Sequence, residues 1–258
     1  MKRAQVLLQE KDGFTKVEAP CPYFGTCGGC SLQDLAYPDQ LELKKQRLLR
    51  ALGSLDPTMT LEMVGLEDPW RYRNKAELTF GESGGCLTLG YHAARSFWRI
   101  VDIEDCLLLP EPMSQLLRDA RALAQQTTQA AYNPKTHQGF FRYLVIRASH
   151  ATGKLLACLM TTQGPRRLIE EFADELMKRH SALVGFYWGI NMKVADGLAV
   201  GLAGTLVCGF HDPWTSARDD RIACQDQGLG HFLREPVIRI GPCELGGAED
   251  RHRIGDFG

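Results

Sequence analysis

A chain of 258 residues with 44% hydrophobic and 24% charged residues can bury a sizeable core, in one large domain or two smaller ones. Its 30 basic and 31 acidic side chains leave a formal net charge of −1, so nothing global draws it to nucleic acid, and any such contact must rest on a local group of cations. The absence of a membrane-spanning run and of an apolar signal stretch in the first ten residues excludes a membrane class and places the nine cysteines in a reducing, cytoplasmic setting.

Residues 4–17 read as a last strand of a unit too short to complete. Next comes CPYFGTCGGC, which puts Cys21, Cys27 and Cys30 on one short loop, with Gly28 and Gly29 letting the backbone fold tightly around something bulky. With Cys106, far downstream in DIEDCLLLP, the donor set suits a [4Fe–4S] cluster, the fourth thiolate tying the loop to the body of the domain. Structural zinc is the first alternative, although it usually pairs two close Cys-x2-4-Cys knuckles and only Cys27 and Cys30 form one here. A disulfide framework is the second, and an odd number of cysteines counts against it. Cys86, in SGGCLTLGY, is the substitute if Cys106 is not a ligand, and Cys158, inside KLLACLMTT, reads as an inert buried thiol.

A helix starts at Pro38, with Leu41, Leu48, Leu49 and Leu52 along an apolar side and Gly53 as its stop. Lys44, Lys45, Arg47 and Arg50 fall on its solvent side, a charged face that suits the carboxyl end of the helix dipole. Between Leu61 and Ile103 the pattern is of strands: NKAELTF, CLTLGY after a Ser83-Gly84-Gly85 turn, and FWRIVDI. Extending the first strand back to Trp70 puts Arg71, Arg73 and Lys75 on one face and Trp70, Tyr72 and Asn74 on the other. Cations beside rings suit single-stranded RNA, the plain alternative being a half-exposed strand; His92, Arg95 and Arg99 extend the same face.

A helix is predicted from Pro112 to Gln126, then a hairpin of Phe140 to Ser149 and Lys154 to Thr162 around Gly153. Arg142 and Arg147 differ in parity, so they share a surface only if that strand bends. A helix from Arg166 to His180 and strands near Leu183–Trp188 and Leu198–Cys208 complete an α+β body. From His211 onward the chain is rich in charge and glycine with little periodicity, which predicts partial disorder.

The run CPYFGTCGGCSLQDLAYPDQLELKKQRL, then WRYRNKAELTFG, then LTLGYHAARSFWRIVDIEDCLLL, resembles the iron–sulfur class of RNA (uracil-5-)-methyltransferases, over roughly Glu18 to Cys208. The resemblance implies that Cys21, Cys27, Cys30 and Cys106 hold a [4Fe–4S] cluster with a structural or RNA-docking role, and that Arg71, Arg73, Asn74, Lys75 and Arg99 contact RNA. It implies S-adenosylmethionine-dependent formation of 5-methyluridine, in 23S ribosomal RNA before transfer RNA. It also implies a nucleophilic cysteine that adds to C6 of uracil while a base removes the C5 proton.

The chain has no matching glycine-rich cofactor loop, and no residue matches the nucleophile motif, so no catalytic residue is assigned. The expected division is a remnant of a TRAM-like β-barrel over 1–20, a cluster and RNA-recognition domain over 21–210, and a divergent tail over 211–258, read as disordered or translated out of frame. The S-adenosylmethionine domain is then absent from this chain. The alternative is a free-standing iron–sulfur RNA-binding module, or half of a split enzyme working with a separate S-adenosylmethionine-binding chain.

Overall fold

Alternating apolar and polar side chains in KAELTF make a strand with one face to bury, and six further strands complete a single sheet. The computed structural model describes residues 10–53, 56 and 58–192 and the backbone of 203–209. Its strands are β1 (Lys75–Ser83), β2 (Cys86–His92), β3 (Ile100–Asp102), β4 (Phe141–Ala148), β5 (Leu155–Thr161), β6 (Leu183–Ile190) and β7 (Ala203–Gly209), in the order β3-β2-β1-β4-β5-β6-β7. Neighbours run antiparallel except β5 and β6, which are parallel and therefore need a crossover.

The crossover is a helix. Of the three helices α1 (Tyr37–Leu52), α2 (Glu111–Gln125) and α3 (Arg166–Arg179), the last links β5 to β6. Each has proline within its first turn or just ahead of it, where the missing N–H costs nothing. α2 buries Met113, Leu116, Leu117, Ala120 and Ala124, and α3 buries Ile169, Phe172, Ala173 and Leu176. Both stripes belong to one core with Leu78, Phe80, Leu89, Leu144, Leu159 and Phe186 of the sheet. Each fully buried leucine or phenylalanine contributes roughly 1.5–3 kcal/mol, so this face carries the stability and leaves the opposite face for other work.

Register breaks in one informative place. Phe141 pairs with Thr161 but Tyr143 pairs with Met160, so Arg142 is an extra residue in β4. Phe141, Leu144 and Ile146 stay in the core, and Arg142 joins Tyr143, Val145 and Arg147 on the opposite face. The bend that parity alone would forbid is supplied by this bulge, and the two arginines share a face.

Three further expectations change. Residues 70–74 are not strand: β1 begins at Lys75, and Arg71 has a left-handed φ of 53°. α1 buries Leu43, against Leu32, Leu35 and Phe14, while Leu48 is 46% exposed; its Arg47 and Arg50 are held by Glu10 at 2.9 and 2.7 Å rather than merely solvated. The described part of the first expected strand makes only a single bridge, Lys16 with Leu35. Residues 198–202 and the tail from 210 lie outside the described residues.

β2 and β3 approach so closely at Gly90 that a Cβ there would sit 2.0 Å from the Val101 carbonyl oxygen and 2.8 Å from Ile103 Cγ1. Gly90→Ala is expected to cost about 3 kcal/mol, an overpacking against backbone that cannot rotate away. Calorimetry should show a melting temperature lower by roughly 6–12 °C; an unchanged melt would mean β3 yields without cost.

Candidate metal centre and nucleic-acid face

The cysteine loop is coiled on itself by successive turns. Phe24 N–H donates to the Cys21 carbonyl at 3.0 Å and Cys27 N–H to the Tyr23 carbonyl at 2.8 Å. It is then stitched to the segment leaving β2: Cys27 bridges Ala93, Gly28 N–H donates to the His92 carbonyl at 2.9 Å, and Ala94 N–H donates to the Thr26 carbonyl at 2.8 Å. A Cβ on Gly28 would lie 2.9 Å from that His92 oxygen, which is the local reason for glycine in CGGC. From the other side, the segment after β3 is held by Arg71 and Arg73, whose N–H groups donate to the carbonyls of Leu107 and Leu108, each at 2.9 Å.

These two dockings bring Cys21, Cys27, Cys30 and Cys106 to one pocket, walled by aromatic and aliphatic side chains. Burial pushes the thiols of Cys27, Cys30 and Cys106 up, and the neighbouring sulfurs push the same way; the Arg73 guanidinium opposes the rise in all three. N–H groups already point at sulfur: Gly29 donates to Cys27 Sγ at 3.4 Å and the Gln33 side-chain amide to Cys30 Sγ at 3.2 Å. Two lining residues have buried polar atoms without a hydrogen-bond partner, the Tyr91 hydroxyl and Gln33 Oε1. Among the described residues no three His, Cys, Asp or Glu side chains gather as a single-ion site. Zinc would need its ligands about 2.1–2.3 Å from one point.

The other two thiols among the described side chains lie elsewhere. Cys86 is exposed at the β1–β2 turn and does not line the pocket. Cys158 sits in β5 on the far face of the sheet, and burial pushes its thiol up to about 12.

The expected RNA contacts are dispersed. Arg71 turns into the fold: Nη1 and Nη2 each donate to the Asp105 carboxylate at 2.7 Å, and Nη1 also donates to the Leu109 carbonyl at 2.8 Å. Arg73 lines the cysteine pocket. Asn74 is exposed and uses its carbonyl to accept from Ala148 N–H at 2.8 Å. Lys75 pairs with Glu77 and stands opposite Arg147 in the ladder. Arg99 alone of the five is an exposed cation with no carboxylate partner among the described residues. What the sequence reading passed over is Phe97 and Trp98, 54% and 55% exposed. A strand through FWRIVDI would have faced one of them inward, but β3 starts only at Ile100.

The Asp105 carboxyl is held below the ordinary carboxylate range by its hydrogen bonds from Arg71, against the opposing effect of burial. Arg71→Ala should lower unfolding free energy by roughly 1–2 kcal/mol at neutral pH, the pair being about one-third exposed. Because the folded value is the depressed one, this contribution is complete above about pH 4 and disappears as pH falls through the folded value. Urea titrations of both proteins check it: curves that stay separated well below pH 3 would assign the loss to the carbonyl contacts instead.

No protein-family model matches the chain. It is similar to an uncharacterised RNA methyltransferase of Halalkalibacterium halodurans, 36% identical over 149 residues, which are 57% of this chain and 32% of the relative. One from Caldanaerobacter subterraneus is 32% identical over 206 residues, 78% of this chain and 42% of the relative. Among solved structures it resembles the tRNA (uracil-54, C5)-methyltransferase of Pyrococcus abyssi in complex with S-adenosyl-L-homocysteine, with a TM-score of 0.55 and 25% identity over 70% of this chain and 41% of that one. The chain thus spans about a third to two fifths of the length of these relatives; its mixed α+β fold resembles that of the solved structure, and its sequence matches a stretch of the RNA methyltransferases.

Proposed function

We propose that this chain supplies the RNA-recognition part of an S-adenosylmethionine-dependent RNA (uracil-5-)-methyltransferase, acting on 23S ribosomal RNA, and that Cys21, Cys27, Cys30 and Cys106 hold a [4Fe–4S] cluster. The observation that carries the reading is the meeting of these four thiols, from two distant segments, in one apolar pocket. Four donors spread around a pocket suit a cubane, which takes one thiolate at each iron, better than a single ion. The orphaned Tyr91 hydroxyl is a buried donor for which cluster sulfur is an acceptor, and Arg73 is a cation beside what would be four thiolates. When bound, such a cluster supplies a cross-link rather than electrons for methyl transfer.

S-adenosylmethionine does not fit the described residues. The one strand–helix–strand crossover, β5-α3-β6, has a single glycine in its first turn, and a Cβ on Gly164 would strike the Phe140 ring at 2.2 Å. That glycine makes room for a side chain, not for a phosphate or a carboxylate. No methyl-transfer step is therefore assigned to residues 10–192, and no catalytic nucleophile is named. The second reading is a free-standing RNA-binding module, or half of a split enzyme whose partner chain binds S-adenosylmethionine. On either reading the domain that recognises RNA is the 21–210 segment.

Two measurements test this. Anaerobically purified protein should carry about four irons per chain with broad visible absorption, and Cys106→Ser should lose most of both; full iron in the variant would remove Cys106 from the ligand set. Titration of S-adenosylmethionine into the cluster-loaded chain should give no heat of binding while RNA still binds. Heat on mixing, or labelled methyl transferred to RNA by the chain alone, would sink the division of labour.

A further inference from the structure

Across the sheet from α2 and α3, a cavity of about 250 Å³ lies between the β2–β3 loop and the segment before β4. Its floor includes Thr79, Gly81 and His92, and Gly81 is bare because a Cβ there would come within 2.7 Å of Ile100 Cγ1. One wall is a run of rings: His92 stacks on Phe97 at 5.3 Å with planes 15° apart, and Phe97 meets Trp98 edge-on at 5.4 Å. The other wall carries Tyr132, under the Arg142 guanidinium at 4.0 Å, and Lys135, whose Nζ reaches across to within 5.0 Å of the Trp98 ring.

Exposure and charge set this place apart. Phe97 and Trp98 present more than half their surface to solvent and are the most exposed Phe, Tyr or Trp rings among the described residues, and an exposed aromatic pair calls for an occupant. Arg95, Arg99 and Lys135, all exposed and without a carboxylate partner among the described residues, flank the pair. Glu82 is the acid among the described lining residues. Rings interleaved with free cations are the surface on which a single strand of nucleic acid lies, bases on rings and phosphates on cations. The cavity is smaller than the roughly 300 Å³ at which pockets for drug-sized ligands begin. It has room for one planar base, not for a nucleoside cofactor with its tail.

We propose that this cradle holds one unpaired RNA base stacked on Trp98, displacing Lys135 from the ring onto the adjacent phosphate, with Arg95 and Arg99 on the neighbouring phosphates. This rests on the reading above that the chain handles RNA, and assigns the contact to residues outside the strand first expected to make it. His92 is a platform rather than a reader: its Nδ1 is buried without a partner and its Nε2 stands 3.4 Å from Thr79 Oγ1.

The test is fluorescence anisotropy of the full chain with a short labelled unstructured RNA and with a duplex of the same length. Trp98→Ala should weaken binding of the unstructured RNA by roughly 5- to 100-fold, leave the salt slope unaltered and spare the duplex, whose bases are already stacked. Trp98→Phe should keep most of the affinity. Replacing Arg99 and Lys135 by alanine should instead flatten the slope of log affinity against log salt by about 0.7 for each phosphate no longer neutralised. Thermal melts confirm that the exposed substitutions leave the fold intact. Wild-type affinity in a folded Trp98→Ala, or equal losses for strand and duplex, would overturn the cradle alone and leave the rings as a packing surface for another protein segment. Failure of the wild type to bind any RNA would overturn the broader reading with it.

Discussion

Much of this structure depends on one short junction, the pairing of the cysteine loop with the backbone that leaves β2. Cys27 opposite Ala93, with Gly28 and Ala94 completing the hydrogen bonds, locks a loop that has no core of its own onto the end of β2, in a sheet that has a large one. Three of the four clustered thiols are placed by that junction. The same few residues anchor the start of the 93–99 loop, so the ground on which Phe97 and Trp98 stand is set from the cysteine side. A group bound by the four sulfurs would therefore brace the aromatic loop as well as its own, coupling the proposed cluster to the proposed RNA cradle through backbone rather than through a chain of side chains.

Arginine illustrates how chemistry divides along this chain. Residues Arg71 and Arg73, two apart, have N–H groups that grip the same partner segment, yet one guanidinium closes on Asp105 and the other lines the thiol pocket. Arg142 enters the outer face only through a bulge. Burial and hydrogen bonding use up Arg71 and Arg73 beside the sheet, while Arg95, Arg99 and Lys135 on the loops have no carboxylate partner among the described residues. With a net charge of −1 over the whole chain, any attraction to a polyanion has to come from such a local patch.

Periodicity made much of the fold legible. The helices at 37–52, 111–125 and 166–179 and the strands from β1 to β6 stand within a few residues of their expected places, because most have an apolar stripe or alternation and several have a proline or glycine at an end. The cysteine spacing likewise pointed to residues that do converge. What failed failed for tertiary reasons. Alternation in WRYRNK looked like strand, but the left-handed turn at Arg71 breaks it and the partner there is an irregular segment, not a ladder. Burial of Leu43 rather than Leu48 follows from where the 32–35 segment packs, which no helical wheel contains. A bulge leaves no mark in a pattern of apolar residues, so the side on which Arg142 emerges was hidden until the register was seen.

The sheet also manages its own margin. β3 is three residues long, and it ends at once in the segment that carries Cys106. An outermost strand that short has too few open peptide groups to recruit a strand from another molecule. The protein can thus place two bare aromatic rings beside a sheet edge, where a longer edge would have turned the same rings into a nucleus for self-association.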